Sequence, residues 1–255
     1  MTSEPFRFSR RQLSEYAGLD SAKGRRRSGI FVAEGSKLVL ELMARFCPAA
    51  VYATAAWAEA SPDIDTTVVR PAELRQISRL TSLPEVIAFF HLPAATRPSL
   101  PAADELVVAL DCVQDPGNLG TIIRCCDWMG VKHIVASAET ADCFNPKAVQ
   151  ASMGALAHVD ISYTDLAAYL AAARDHSTPV YGTFMNGDNI YTANLGPGGI
   201  LLMGNEGHGI GDACAAAVSR RITIPPFPAG ASPVESLNVG VATAIALSQF
   251  RSRMQ

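Results

Sequence analysis

The chain has 255 residues, of which 49% are hydrophobic and 18% charged, and it carries a formal net charge of −3. A chain of this length buries well over half of its unfolded surface, so one large domain or two modest ones can form without disulfides or metal. The composition excludes a disordered chain, a collagen-like repeat and a small disulfide framework.

Six cysteines, at 47, 112, 125, 126, 143 and 214, include no C-x-x-C pair. This spacing predicts no metal site and a reducing, cytoplasmic compartment. The longest uncharged apolar stretch, Ser236 to Phe250, is shorter than the roughly 18 to 20 residues a membrane-spanning helix needs. No apolar run follows the basic residues near the start, so no secretory signal is expected.

Charge is uneven along the chain. The first 100 residues hold 13 Lys and Arg against 10 Asp and Glu, and the remainder holds 8 against 14. Arg7, Arg10, Arg11, Lys23, Arg25, Arg26 and Arg27 face only Glu4, Glu15 and Asp20. A solvated basic face and a phosphate-contact surface both fit this cluster.

In chain order, apolar spacing predicts a helix over Ser36 to Arg45, a strand near Val51 to Ala53, a helix over Ala72 to Arg79 and a strand over Glu85 to Phe90. These make a small α/β sandwich. A Pro- and Ala-rich segment from Leu92 to Ala103 follows, which predicts a semi-rigid spacer. The expected division is therefore 1–98, a linker at 99–104, and 105–255. Beyond it, strands are expected at Leu106 to Leu110, His133 to Ala136, His158 to Ile161, Val180 to Thr183, Ile200 to Met203 and Arg221 to Ile224. Helices are expected at Gly120 to Met129, Lys147 to Met153, Leu166 to His176, Asp212 to Val218 and Ser236 to Phe250. Near-continuous apolar strands alternating with helices indicate a parallel sheet covered on both faces, whose ligands bind beyond the carboxyl ends of the strands.

Three loops follow such strands. The first, Asp111-Cys-Val-Gln-Asp-Pro-Gly-Asn-Leu-Gly120, enters a helix carrying Arg124. Pro116 and Gly117 suit a turn, and Asn118 suits a helix cap. Arg124 opposes the helix macrodipole at a cost of a few tenths of a kcal/mol, which points either to a purpose or to an exposed face. The second loop, Gly204-Asn-Glu-Gly-His-Gly-Ile-Gly211, allows close approach to its backbone, yet matches neither a dinucleotide fingerprint nor a P-loop. His208 suits an ordinary surface position. The third runs from Ile222 through four closely spaced prolines to Ser236, Leu237 and Asn238, where Asn238 suits a helix start.

Taken in order, D-P-G-N-L-G-T-I-I-R, M-G-N-E-G-H-G and I-P…E-S-L-N-V-G-V-A-T-A-I resemble the three motifs of the SpoU-type (TrmH-like) RNA ribose 2′-O-methyltransferases of the SPOUT superfamily. The stretch Lys23 to Lys37 is similar to the start of that family's N-terminal substrate domain, an L30e-like fold. The resemblance implies an L30e-like domain followed by a parallel-sheet domain with a deep trefoil knot, S-adenosylmethionine as cofactor, and a homodimer. It assigns Arg124, Asn118, Glu206, Ser236 and Asn238 to the catalytic set, and Met203, Gly204, Asn205, Gly207, Ile224 and Leu237 to the cofactor. Lys23, Arg25, Arg26, Arg27 and Lys37 fall to RNA binding.

One departure from the family pattern is a loop between Ile224 and Ser236 about four residues longer than usual, with Pro225, Pro226, Phe227, Pro228 and Pro233. The implied substrate is structured RNA, ribosomal before transfer RNA. A non-catalytic RNA-binding assembly factor on the same fold is the alternative, and cofactor binding separates the two. A dehydrogenase lacks its phosphate turn here. A free guanidine base lies roughly 7 to 8 kcal/mol from its guanidinium at neutral pH, so Arg124 is expected to act as a fixed charge that stabilises a developing alkoxide. Two further expectations follow. Gly204→Val should remove cofactor binding without harming the fold, and the all-round apolar helix from Ser236 should bury a second face in a dimer.

Overall fold

The computed structural model describes residues 6–228 and 236–252. In chain order these form α1 (Arg10–Gly18), α2 (Ala22–Ser28), β1 (Ile30–Glu34), α3 (Ser36–Met43), β2 (Pro48–Ala53), α4 (Ala55–Ala60), β3 (Thr67–Val68), α5 (Pro71–Ile77) and β4 (Val86–His91). There follow β5 (Leu106–Leu110), α6 (Pro116–Trp128), β6 (His133–Ser137), α7 (Pro146–Ser152), β7 (Asp160–Thr164), α8 (Leu166–Asp175), β8 (Val180–Asn189), β9 (Gly199–Met203), α9 (Asp212–Ala215), β10 (Arg220–Thr223) and α10 (Val239–Ser252).

Two compact units share the chain, one made of Met1–Ala94 with Asp142–Ala157, the other of Ala95–Ala141 with His158–Gln255. The first unit thus contains α7, which in sequence lies between two strands of the second. A single break at residues 99–104 does not capture this.

The first unit is a four-stranded sheet in the order β1-β4-β2-β3, antiparallel except where β2 meets β3. Alternation along β1 sends Ile30 and Val32 into a cluster with Tyr16, Leu74 and Phe89, while Phe31 faces the other way onto Phe46, Phe90 and Phe144. Both faces are therefore covered, and every residue of β1 is buried. Its last residue, Glu34, is buried as an acceptor for Ser78 Oγ at 2.7 Å and Arg79 N at 2.9 Å.

Arg25, expected at the surface, is 2% exposed. Its Nη2 and Nε donate to Asp142 Oδ2 at 2.6 and 3.0 Å, and its Nη1 donates to the Leu19 carbonyl at 2.6 Å. This corrects the assignment of Arg25 to RNA: its guanidinium is committed inside the unit.

The second unit is a six-stranded sheet in the order β10-β8-β9-β5-β6-β7, with every pairing parallel. Val107, Ala109, Ile200 and Leu202 point to one face, where Leu166, Leu170 and Cys214 of α8 and α9 cover them. Val108, Leu110 and Leu201 point to the other and are also buried. Burial on both faces is why these strands are apolar throughout rather than alternating. The Pro-rich segment is not a free spacer. Tyr169 Oη donates to the Ser99 carbonyl at 3.0 Å, the Thr96 and Ser162 hydroxyls lie 2.9 Å apart, and Leu100 packs on the core.

Two helix starts differ from expectation. Asp115 caps α6 by accepting from Asn118 N at 2.8 Å, with Pro116 in the first turn, so Asn118 is already inside the helix and its side chain is available for other bonds. Helix α10 begins at Val239 rather than Ser236.

Replacing Arg25 with Ala strands the Asp142 carboxylate and the Leu19 carbonyl. It should destabilise the protein by about 3 kcal/mol, whereas Arg26→Ala and Arg27→Ala, at exposed positions, should each stay within about 0.5 kcal/mol of the parent. Denaturant midpoints measure this, and equal effects at all three positions would contradict the assignment.

Candidate functional site

The strands of the second sheet run parallel, so the loops after β5, β9 and β10 leave from one edge of the sheet. Asn118 ties the three together. Its Nδ2 donates to Glu206 Oε1 at 2.8 Å, and its Oδ1 accepts from Asn238 Nδ2 at 2.9 Å. The partners lie 88 and 120 residues away in sequence. Asn238 also caps α10, its Oδ1 accepting from Gly240 N at 2.9 Å and Val241 N at 3.3 Å. The capping role and the site role thus use opposite ends of one carboxamide. Among the described residues Glu206 Oε2 has no hydrogen-bond partner, and Glu206 is exposed.

The loop after β9 is held in shape by Asn205. Its Oδ1 accepts from Gly207 N at 2.8 Å and His208 N at 3.1 Å, its Nδ2 donates to the Cys112 carbonyl at 2.7 Å, and its backbone pairs in both directions with Gly209. Asn205 is thus fully engaged within the protein. Met203 is buried and its carbonyl accepts from Asp111 N at 2.9 Å, so it too serves to launch the loop. Gly207 is exposed, with open space around it apart from Asn205 Oδ1.

Gly204 has a different reason for being glycine than the one expected. A Cβ there would lie 2.3 Å from the Gly209 carbonyl carbon and 2.4 Å from Ile210 N. The protein's own backbone occupies the space. The expectation that Gly204→Val spares the fold is therefore wrong.

Ser236 and Leu237 are exposed beside Asn238, and Ile224 is half-buried just beyond β10. The longer loop between them falls largely on residues 229–235, including Pro233, which lie outside the described residues. Arg124 is exposed. Six residues on from Asn118, it points about 240° further round α6, on the side that carries Thr121 and Trp128. Among the described residues no hydrogen bond joins Arg124 to Asn118, Glu206 or Asn238.

Asp111 and Cys112 stand outside the residues expected from the sequence. Asp111 is 7% exposed, and its Oδ2 accepts from Gly211 N at 2.8 Å. Cys112 takes a left-handed φ of 56°, and its amide donates to Ser137 Oγ at 3.0 Å. The signal was their place at the end of a strand that feeds the first loop. Burial pushes the Cys112 thiol up, and the Cys214 thiol up to about 12, with the Asp111 carboxylate adding to both. Both thiols are therefore neutral at pH 7. All six cysteines are free. An open cavity of about 390 Å³ is lined by Asp111, Ser137, Glu139, Asp165 and Cys214, and none of the expected site residues lines it.

In the first unit, Lys23, Arg26, Arg27 and Lys37 are exposed, and so are Arg7, Arg10 and Arg11. Among the described residues no group of three His, Cys, Asp or Glu side chains could hold a metal, and no helix is long and apolar enough to cross a membrane.

The model of the SpoU rRNA Methylase family matches residues 105–248. The 23S rRNA (guanosine(2553)-2'-O)-methyltransferase RlmP of Bacillus subtilis is 32% identical over 168 residues, covering 66% of this chain and 64% of that protein. The chain thus spans a little under two thirds of the length of the curated relatives it matches first. Among solved structures, a TrmH-family protein from Porphyromonas gingivalis superposes with a TM-score of 0.87 at 38% identity, covering 97% of this chain and 100% of that one. An AdoMet-bound rRNA methyltransferase from Sinorhizobium meliloti superposes with a TM-score of 0.85 at 27% identity, covering 99% and 98%.

Because even a methyl group at residue 204 collides with backbone, Gly204→Ala should lower stability by about 1 to 3 kcal/mol, seen as a fall of several degrees in the thermal midpoint. A variant that melts with the parent would contradict the packing described.

Proposed function

The chain belongs to the SpoU rRNA methylase family, and from that membership we propose that it transfers a methyl group from S-adenosylmethionine to a ribose 2′-hydroxyl of RNA. Ribosomal RNA is the preferred substrate and transfer RNA the alternative; the B. subtilis relative carries a 23S rRNA name. The observation that carries the proposal is the joining of all three motif loops at Asn118, which bonds Glu206 on one side and Asn238 on the other. A chain that only bound RNA would have no use for this convergence.

The residues present fit the cofactor. The exposed backbone of Gly207 and the 48% exposed Leu237 offer polar and apolar contact at the same sheet edge, and the half-buried Ile224 opens the loop after β10. S-adenosylmethionine bound there supplies an electrophilic methyl on a sulfonium. The rest of the chemistry belongs to the chain. Asn118, itself held by Asn238, fixes Glu206 so that one oxygen is occupied and Oε2 is left to accept a hydrogen bond from the incoming 2′-hydroxyl. Ser236 is a further polar group at that edge. Arg124 acts as a fixed positive charge toward the alkoxide or the neighbouring phosphate, and the proton passes to Glu206, that phosphate or water.

We assign the first unit as the L30e-like RNA domain, with Lys23, Arg26, Arg27 and Lys37 contacting phosphate. The second unit is assigned the trefoil knot that the resemblance implies. The function places the protein in the cytoplasm, with its RNA. We also propose a homodimer through the outer sides of α6 and α10, which pack together within the chain. Val239, Thr243, Ala246 and Phe250 turn inward, while Val241 is 49% and Trp128 87% exposed. Trp128, at the C-terminal end of α6, and Val241, in the first turn of α10, are large apolar side chains left open to solvent, as at a protein interface.

Incubating the protein with labelled S-adenosylmethionine and ribosomal RNA should place label on a ribose 2′-oxygen. Asn118→Ala should reduce the rate at least 100-fold, comparable to loss of a transition-state donor. Absence of transfer together with absence of cofactor binding would return the chain to the assembly-factor alternative. Neutralising Lys23, Arg26 and Arg27 should flatten the log–log salt dependence of RNA binding by roughly 0.7 to 0.9 for each lost phosphate contact, and an unchanged slope would make them a solvated face. Light scattering at micromolar concentration should give a mass near twice 27.0 kDa, and Trp128→Asp should halve it; a monomeric parent would remove the dimer.

A further inference from the structure

We infer that Asp111, together with Asn205, acts as a positioning clamp that holds the Gly204–Gly211 loop in the shape the cofactor meets. The part concerning cofactor rests on the function proposed above.

The loop is tied at both ends to a single dipeptide. At its start, Asn205 Nδ2 donates to the Cys112 carbonyl at 2.7 Å, and at its end Gly211 N donates to Asp111 Oδ2 at 2.8 Å. Met203 O, immediately before the loop, accepts from Asp111 N at 2.9 Å, which continues the β5–β9 ladder to its last rung. Eight residues of glycine-rich chain are thus fixed by residues 111 and 112. Glycine loses more conformational freedom on ordering than any other residue, so a loop with Gly at 204, 207, 209 and 211 has little intrinsic order and depends on such ties.

The position of the carboxylate gives the tie its strength. Asp111 is 7% exposed, so water competes poorly for Oδ2, and an ionised acceptor with an N–H donor makes one of the stronger hydrogen bonds. Turning the chain from Asp111 toward the first motif helix requires the left-handed Cys112, whose carbonyl is thereby aimed at Asn205. Asn205 uses its other end to accept from Gly207 N and His208 N. Neither Asp111 nor Asn205 needs to touch the cofactor. Both act on it through the loop, and Glu206, flanked by the two ties, is carried into position for Asn118.

The test uses the full chain and two readouts. In the protein without cofactor, hydrogen exchange of the loop amides at Gly207, His208 and Gly211 should accelerate about 10-fold or more in Asp111→Ala. It should remain near the parent rate in Asp111→Asn, whose amide oxygen can still accept from Gly211 N. Asn205→Ala should accelerate Gly207 and His208. Calorimetric titration with S-adenosylmethionine should show affinity falling about 10-fold in Asp111→Ala and Asn205→Ala, and by less than 3-fold in Asp111→Asn. Unchanged loop exchange in Asp111→Ala overturns the clamp. Loss of affinity in Asp111→Asn with loop protection intact also overturns it, because the carboxylate charge would then be a direct contact. If Asp111→Ala does not fold, Asp111→Asn and Asn205→Ala decide the matter by the same readouts. If the parent does not bind S-adenosylmethionine, the proposed function fails while the exchange result still decides the clamp.

Discussion

The site depends on one carboxamide. Asn118 has a donor and an acceptor at its tip, and each is used on a different loop, Glu206 by the first and Asn238 by the second. Each such hydrogen bond contributes about 1 kcal/mol net, too little to fold three loops. Their value is in register. The loops are already brought to one edge by a sheet whose strands all run parallel, and the carboxamide fixes how they meet. Asn118 is free to do this because Asp115 takes over the capping of α6. The parallel sheet supplies the edge, the cap frees the side chain, and the side chain assembles the site.

The polar residues at this edge divide between capping, loop shaping and the bonded group. Asn238 both caps α10 and bonds Asn118, and neither bond excludes the other. Asn205 is wholly occupied in shaping its loop, and Gly204 is glycine because of Gly209 and Ile210 rather than a ligand. Arg124 makes no hydrogen bond to the bonded group among the described residues, and lies on the same side of α6 as the exposed Trp128. In the proposed dimer, a second subunit covering that side would change what Arg124 faces.

Most of the sheet in the second unit was legible, because strands buried on both faces are written as apolar runs; Leu106–Leu110 matches residue for residue. Strand β8 was not fully legible. It continues past Thr183 to Asn189 after a break in register opposite Arg221 and Ile222, and nothing in its polar second half signals pairing. In the first unit, α1 and α2 are short and polar, so apolar periodicity misses them, although the Ser9–Gln12 capping box was present to be read. The fate of Arg25 was beyond local inspection. Three consecutive arginines look alike, and the one turned inward is chosen by Asp142, 117 residues away. Of the site, the membership of Asn118, Glu206 and Asn238 came from motif order. Which atoms bond, and the part played by Asp111, required the fold.

The claim that these three side chains act as one unit is tested most directly by a double-mutant cycle on Asn118→Ala and Glu206→Ala, read in the rate of methyl transfer. If they act together, the double variant will be little worse than the more damaged single variant, giving a coupling energy of about 1 kcal/mol or more. If the two losses simply add, within about 0.5 kcal/mol, Asn118 and Glu206 work independently and the carboxamide is not what assembles the site.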